Sequence, residues 1–319
     1  MKRLQNKIAE SGLTLPVTVL FGIVVWLLAG LVTQALWPQL ACFVASVYLL
    51  VELSNQNALL RIRSRMVSST FVVLSCTASF LFPSFTGGVV QLCFISALLF
   101  LLQTYQDPAA VGRTYYAFLA VGLASMASVT TLYYVPLLWL LMATQLQSLS
   151  GRTWLASVIG LLTPYWFALL WLVYAQEFTL LTDHFSTLNS PFLTLHSSLF
   201  TLNSPLLTLH LGHILVYVFT LLLTAVGMVH FWHFSYEDKI RIRLLYGLFS
   251  TMTIFSLLFL ALQPQHFDVL MRIGFICASP LIAHVFTFTS SRLSNILFFA
   301  VLALAVALTI FNLIITHIS

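Results

Sequence analysis

Asp268 and Arg272 are the pair of side chains in this sequence whose types and spacing best suit chemistry. They stand four residues apart in an apolar stretch, so on a helix both lie on one face and can pair. His266 precedes them, and Glu177 is an acid in a distant polar segment. Ionisable groups inside apolar segments are costly and often functional. The four residues predict a polar mouth that binds an anionic headgroup or a solute. The alternative is an interfacial ion pair whose arginine extends to water.

A second polar group follows the apolar run 40–59. It contains Glu52, Asn55 and Arg61, whose charges and amide suit contacts with a lipid headgroup. The alternative interpretation is a Glu–Arg pair that closes the end of a helix.

The histidines and cysteines do not form a metal site by their spacing. His210 and His213, and His230 and His233, form two pairs at opposite ends of one predicted helix, about 30 Å apart by the helical rise. Neither pair has a nearby cysteine or a third ligand. The sequence also contains no Gly-x-Ser-x-Gly, Walker or His-Glu-x-x-His motif. We therefore expect no metal and no cofactor, and the motifs indicate no reaction.

Composition places the chain in a membrane. Of 319 residues, 60% are hydrophobic and 7% are charged, whereas a soluble domain has about a quarter charged residues. The 13 Lys and Arg residues outnumber the 8 Asp and Glu residues. They lie in short loops between apolar runs, where they orient a membrane protein. Because they form no continuous basic face, we expect no nucleic-acid partner.

The apolar runs predict about eleven membrane-crossing helices. Nine runs have a length suited to a hydrocarbon core of about 30 Å: 16–36, 40–59, 66–83, 87–104, 154–175, 212–232, 245–262, 269–288 and 294–316. Residues 114–144 are uncharged and would make one helix of about 45 Å. Two short helices with a turn near Val129–Thr131 fit this stretch better than one tilted crossing.

Loop charges support the two-helix interpretation of 114–144. With it, all loops that contain Lys or Arg fall on one side, and the loops WPQ, PSFTGG and QPQHFD fall on the other. Positive loops favour the cytoplasmic side. The predicted fold is an all-α, polytopic transmembrane helix bundle with its N-terminus in the cytoplasm and its C-terminus outside. It forms a single domain over 1–319.

A near-exact duplication occupies the predicted outer-side loop 176–211. TLNSPFLTLH (187–196) recurs as TLNSPLLTLH (201–210). Large apolar residues recur at alternating spacings of four and three: Leu188, Phe192, Leu195, Leu199, Leu202, Leu206 and Leu209. Each copy also contains Asn-Ser-Pro, which suits a helix start. The pattern predicts an amphipathic helical segment in the outer membrane interface. The alternatives are a recent duplication without a role and a lid over a substrate.

Three stretches carry a resemblance to a known family. They are VGLASMASVTTLYYVPLLWLLMA, GRTWLASVIGLLTPYWF and FDVLMRIGFICASPLIAHVF, with a weaker echo at NQNALLRIRSRM. Together they resemble an uncharacterised family of polytopic inner-membrane proteins from Bacteroidota-type bacteria. The resemblance implies a multi-pass protein of the bacterial inner (cytoplasmic) membrane and brings no catalytic residues.

Three functions follow as hypotheses. The first is the handling of a lipid or lipid-linked glycan in envelope biogenesis, with a membrane lipid, anionic or lipid-linked, as the partner. The second is a secondary transporter, to which Pro164 and Pro280 would contribute broken helices. The third is a non-catalytic membrane scaffold, favoured by the small residues Ala120, Ala124 and Ser128, which permit close helix contact. Protein partners are not indicated.

Overall fold

The computed structural model describes residues 3–62, 64–176, 179, 182–186 and 211–318. Within these ranges the chain forms helices and connecting turns and contains no β-strand. The predicted all-α class is therefore confirmed. The duplicated segment, 187–210, lies outside the described residues, so the amphipathic helix expected there stays a prediction.

Thirteen helices occupy the described ranges. The first half contains α1 (Leu4–Glu10), α2 (Thr14–Leu28), α3 (Trp37–Asn57), α4 (Met66–Thr77), α5 (Phe85–Leu102), α6 (Val111–Ala127), α7 (Tyr134–Thr144) and α8 (Gly151–Ala175). The second half contains α9 (182–186), α10 (Leu211–Phe234), α11 (Ile240–Leu262), α12 (Phe267–Phe288) and α13 (Arg292–Ile318). Each of the eleven predicted crossings coincides with one of these helices.

Hydrogen bonds between loops define two ends of the bundle. At the first end, contacts join Gln56 with Gln103, Arg113 with Gln103, Arg241 with Asn57, and Ser64 with Ala9. We call this the basic end, because it gathers the loops that contain Lys and Arg. At the opposite end, contacts join Ser84 with Asp268 and Gln39 with Pro83. These basic loops therefore lie at one end of the bundle, whereas their placement on one side of a membrane, the cytoplasmic side, stays a prediction.

Residues 114–144 form two helices. α6 ends at Ala127, and the backbone of the next residue, Ser128, is extended (φ −149°, ψ 113°). The 3-10 turn Val129–Tyr133 then leads into α7. The amide of Gln106 donates to the carbonyl of Leu146 at 2.8 Å. The chain thus leaves the basic end along α6 and returns to it along α7, as the loop charges required.

Seven of the described helices are long and apolar enough to cross a membrane: α3, α5, α8, α10, α11, α12 and α13. The bent pair of α1 and α2 supplies an eighth if it counts as one span. The other predicted crossings are shorter, with 12 residues in α4, 17 in α6 and 11 in α7. By length and composition, seven or eight helices are therefore compatible with a membrane-spanning helix bundle.

The helix α12 forms the centre of the bundle. Nearly every residue of α12 is buried, and the helix packs against α4, α5, α10 and α11. A helix enclosed on all sides is apolar all round rather than along one stripe. Its few polar side chains, Arg272 near the opposite end and His284 near the basic end, are therefore held inside the protein.

The helix α8 lies at the periphery and packs on α6 through glycines. A Cβ atom at Gly160 would lie 2.5 Å from the carbonyl oxygen of Tyr115, and one at Gly122 would lie 2.7 Å from that of Leu161. The rest of α8 is exposed and apolar, with Trp154 near one end and Trp171 and Tyr174 near the other. Aromatic residues at both ends of an apolar face are typical of helices that span a membrane.

The N-terminal helix α1 lies almost perpendicular to α2, at 88°. The side chain of Gln5 donates to the carbonyl of Phe286 at 2.6 Å and to the hydroxyl of Thr289 at 3.0 Å. Asn6 donates to the carbonyls of Thr287 and Thr289. α1 is thereby docked across the connection between α12 and α13 at the basic end.

Candidate functional site

The predicted pair of Asp268 and Arg272 is present in the first turns of α12. Arg272 Nε donates to Asp268 Oδ1 at 2.7 Å. The side chain of Arg272 is 8% exposed and that of Asp268 is 30% exposed. The arginine therefore does not extend to water, and only the carboxylate reaches the surface.

The other nitrogens of Arg272 also bond within the protein. Nη1 donates to Gln91 Oε1 at 3.3 Å, and Nη2 donates to the carbonyl of Leu81. The hydroxyl of Ser84, at the start of α5, donates to Asp268 and accepts from the amide of Gly87. The guanidinium thus fastens α12 to α5 and to the turn 79–81. This geometry suits a structural clamp better than an open polar mouth.

The remaining residues of the predicted mouth do not extend this cluster. His266 ends the turn Pro264–His266, and its Nε2 atom is enclosed without a hydrogen-bond partner among the described residues. Glu177 lies outside the described residues. Of the four residues, the structure brings together Asp268 and Arg272.

The predicted cluster of Glu52, Asn55 and Arg61 is divided in the structure. Glu52 accepts from Gln56 at 2.7 Å, and Asn55 is exposed. Arg61 instead pairs with Asp238, its Nε lying 2.5 Å from Oδ1. The structure thus pairs Arg61 with Asp238 rather than with Glu52, and the alternative interpretation, a Glu–Arg pair at the helix end, is not seen at these two residues. The loop after α3 directs Arg61 toward the connection between α10 and α11.

Asp238 is the centre of a polar cluster that the sequence did not reveal. Its Oδ1 faces Arg61, and its Oδ2 lies 3.2 Å from His284 Nε2. The side chains of Asp238 and His284 are both 1% exposed. The Arg61 guanidinium also lies over the ring of Phe288, 4.9 Å from its centroid. The available signal was an acid in the connection after α10, directly before the basic stretch KIRIR (239–243), but its partner His284 lies 46 residues away.

Aromatic rings surround His284 next to Asp238. His230, Tyr246 and Phe288 have ring centroids 5.5, 5.1 and 4.7 Å from that of His284. The hydroxyl of Tyr246 donates to the carbonyl of Leu59. No group of three His, Cys, Asp or Glu residues with metal-binding geometry occurs in the described part of the chain. The cluster joins α10, α11, α12 and the loop after α3.

An apolar cavity of about 330 Å³ opens at the side of the bundle near the basic end. Its walls come from the elbow between α1 and α2 and from α4, α10, α12 and α13. Ile282 and Phe286 line it from α12. His284, between them in sequence, lies on the other face of that helix because two residues rotate a helix by about 200°. The last turns of α12 thus separate the cavity from the Asp238 cluster.

The cavity is open toward the apolar outer face of the bundle. Val17 of α2 and Leu302 of α13 line it, and they are 62% and 43% exposed. Five serine and threonine residues also line the cavity, at Ser11, Thr14, Thr18, Ser69 and Thr70, but its surface is almost wholly apolar. Sequence patterns could not predict this cavity, since it depends on the α1–α2 bend.

Comparisons with known proteins give no assignment. No family model matches the chain, and no match was found among curated proteins or solved structures. The resemblance to the inner-membrane family therefore stays a prediction, and the geometry described above carries the functional argument.

Proposed function

We propose that this protein binds a membrane lipid in the lateral cavity. The observation that carries this proposal is a cavity of about 330 Å³ with an apolar wall that opens at the side of the bundle. Small-molecule sites in proteins have volumes of about 300–1,000 Å³ and mostly apolar walls. A lipid acyl chain matches the wall chemically, because its burial removes apolar surface without leaving polar groups unpaired.

The position of the cavity supports the same ligand. Its exposed lining residues belong to α2 and α13, and α13 is among the helices suited to cross a membrane. In a membrane this face contacts lipid, so a chain enters from the side without passing through water. The short helix α1 lies beside the entrance, since Ile8 of α1 also lines the cavity.

The cavity supports binding rather than catalysis. The residues described as lining it include five hydroxyl side chains and no Asp, Glu, His, Cys or Lys. Proton transfer in an active site needs a titratable group within hydrogen-bonding reach. A lipid-linked glycan would place its lipid portion in the same cavity. We therefore propose that the bound lipid is handled in envelope biogenesis at the inner membrane.

A secondary transporter is the second candidate, and the Asp238 cluster favours it. Asp238, His284 and Arg61 form an enclosed ionisable group next to a helix suited to cross the membrane. Such groups mark ion or proton pathways in many membrane proteins. For this candidate, liposomes containing the protein should show solute-dependent proton flux that the Asp238→Asn variant abolishes. Equal flux with the variant would reject the role of the cluster.

The lipid proposal is tested by filling the cavity from α13. Leu302→Trp places a large side chain at a lining position, whereas Leu304→Trp places it at an exposed position on the same helix that does not line the cavity. We expect native mass spectrometry of the detergent-purified protein to show a retained lipid in the wild type and in Leu304→Trp. Leu302→Trp should lose it.

Added lipid should also raise the melting temperature of the wild type. A ligand at 100 times its Kd stabilises a folded protein by about 2.7 kcal/mol, and Leu302→Trp should lack this shift. Equal lipid retention by wild type and Leu302→Trp would show that the bound lipid lies elsewhere and would overturn the proposal.

A further inference from the structure

The threonine hydroxyls on the wall of the lateral cavity are bonded within the protein. Thr14 donates to the carbonyl of Ser11 at 3.1 Å, and Thr18 donates to that of Thr14 at 3.1 Å. Thr70 donates to the carbonyl of Met66 at 2.8 Å. A hydroxyl group has one proton to donate. The three threonines that line the cavity therefore keep no proton for a ligand.

The two serines leave at most one hydroxyl for a ligand. Ser69 Oγ is enclosed by protein. Ser11 lies in the elbow between α1 and α2, where its Oγ accepts from the amide of Leu13 at 3.1 Å. The other residues described as lining the cavity are apolar. A phosphate or another charged headgroup inside it would lose its hydration without gaining partners, which is costly.

The size of the cavity limits how much of a lipid it encloses. Its volume is about 330 Å³, and its wall includes the phenyl rings of Phe219, Phe286, Phe298 and Phe299. An apolar protein cavity of about 150 Å³ holds one benzene molecule, so a cavity of this size holds about twelve carbon atoms. That is most of one acyl chain and far less than two. The rings supply dispersion contacts to such a chain.

The entrance of the cavity leaves a headgroup outside. Leu13 and Val17 on one side and Phe299 and Leu302 on the other are the exposed residues of the described wall. All four side chains are apolar, as the acyl region of a membrane is. A chain that enters between them meets no polar group at the rim. Its headgroup therefore remains beyond the protein surface, where water can hydrate it.

We propose that the cavity takes a single acyl chain and selects a lipid by that chain and not by its headgroup. The ligand class is a lipid with at least one chain of about twelve carbons or more. This inference rests on the proposed lipid binding and adds to it which part of the lipid is recognised. The bonded hydroxyls exclude headgroup contacts inside the cavity, and the volume sets the length of chain enclosed.

Lipids with identical chains test the headgroup. The probes are dipalmitoyl phosphatidylglycerol, dipalmitoyl phosphatidylethanolamine and dipalmitoylglycerol, titrated into the purified protein and measured by native mass spectrometry. The protein is kept in a steroid-type detergent, because such a detergent has no acyl chain that competes for the cavity. We expect the affinities to agree within about twofold, whereas one basic contact with phosphate would separate phosphatidylglycerol from dipalmitoylglycerol by about fivefold.

Lipids with identical headgroups test the chain. Dioctanoyl, dilauroyl and dipalmitoyl phosphatidylglycerol are compared at equal mole fraction in the detergent micelle, so that their different partitioning from water cancels. Dioctanoyl lipid should bind at least about tenfold more weakly than dilauroyl lipid, because it leaves apolar volume unfilled. Dilauroyl and dipalmitoyl lipids should bind equally, because carbons beyond about twelve lie outside the cavity. Lysophosphatidylglycerol with one palmitoyl chain should match the dipalmitoyl lipid.

A change in cavity volume should shift the preferred chain length. Ala305 lines the cavity and is 1% exposed. Ala305→Leu fills part of the volume, so dioctanoyl lipid should bind to it as tightly as dilauroyl lipid. Ala303→Leu makes the same change at an exposed position outside the described wall and should behave as the wild type. If Ala305→Leu does not fold, Leu223→Ala enlarges the cavity, and dipalmitoyl lipid should then bind more tightly than dilauroyl lipid.

The results separate this inference from the lipid proposal on which it rests. A fivefold or larger preference for one headgroup, equal binding of all chain lengths, or a requirement for two chains would each overturn the inference while leaving lipid binding intact. An unchanged length preference in both Ala305→Leu and Leu223→Ala would also overturn it. Absence of binding by every lipid would reject the lipid proposal itself.

Discussion

At the scale of single residues, Arg272 shows how burial changes the contribution of an ion pair to stability. Spacing alone predicted its partner Asp268. The structure adds two further acceptors, on Gln91 and Leu81, and encloses the guanidinium. An exposed pair contributes about 0–1 kcal/mol, whereas removing one partner of an enclosed pair costs about 3–5 kcal/mol. The consequence for this protein is stability rather than ligand binding.

Arg272→Ala should therefore lower the free energy of unfolding by about 3–5 kcal/mol. The change leaves the acceptors of Asp268, Gln91 and Leu81 without their donor. Denaturant titration of the protein in detergent measures the loss, and reduced abundance in membranes should accompany it. Arg152→Ala, at an exposed position, is the control and should change little. Normal stability of Arg272→Ala would show that the guanidinium is free to bind something else.

Asp238→Ala should also cost about 3–5 kcal/mol in the free energy of unfolding. It removes the acceptor of Arg61 and of the enclosed His284 at once. Glu52→Ala at the same end is a matched control. Glu52 accepts a hydrogen bond from the side-chain amide of Gln56, which is exposed. The control should cost less than about 1 kcal/mol. Similar losses for the two variants would contradict the role given to Asp238.

At the scale of elements, close approach of α6 and α8 depends on glycine. Gly160 lies against the backbone of Tyr115 and Leu119, and Gly122 lies against that of Leu161. Helices in membranes associate through such small residues, because lipid provides no hydrophobic drive between them. The sequence had suggested Ala120, Ala124 and Ser128 for this role. The residues in closest contact are the glycines of the same two helices.

Gly160→Ala should destabilise the protein by about 1–3 kcal/mol, as an overpacked contact does. The added Cβ would lie 2.5 Å from the backbone oxygen of Tyr115. A backbone atom cannot move aside as the end of a flexible side chain can. Gly112→Ala on α6 is the control, since no heavy atom lies within 4 Å of its Cβ position. Unfolding in detergent measures both variants. An unchanged stability for Gly160→Ala would mean that α8 does not pack on α6 as described.

At the scale of the whole molecule, reporter fusions test the orientation of the bundle. Fusions after Arg65, Arg152 and Arg243 should all report the cytoplasm, and fusions near Ser197 and His317 should report the outside, in keeping with the positive loops. The structure requires the first three to agree with one another. If all three fusions reported the outside, the orientation in the membrane would be reversed and the fold would stand. Disagreement between Arg65 and Arg152 would contradict the paired helices α6 and α7.

The predictable part of this protein is the part encoded locally. Apolar runs indicated eleven of the thirteen described helices, and a four-residue spacing indicated the Asp268–Arg272 pair. Contacts between distant segments were not predictable, because local sequence patterns do not show which residues of two helices face each other. Asp238 and His284, 46 residues apart, meet only because α11 and α12 pack together. The cavity depends on the bend between α1 and α2. The sequence shows a short polar stretch before an apolar run, but this pattern does not determine the angle between the two helices.

The docking of α1 has a consequence for the order of synthesis. Gln5 is synthesised 281 residues before its acceptor on Phe286. At about 5–20 residues per second, the helix waits about 14–56 seconds for its partner. Until then the wall that α13 supplies to the cavity does not exist. The contact that docks α1 therefore forms late in synthesis, close to the step at which α13 completes the wall of the cavity.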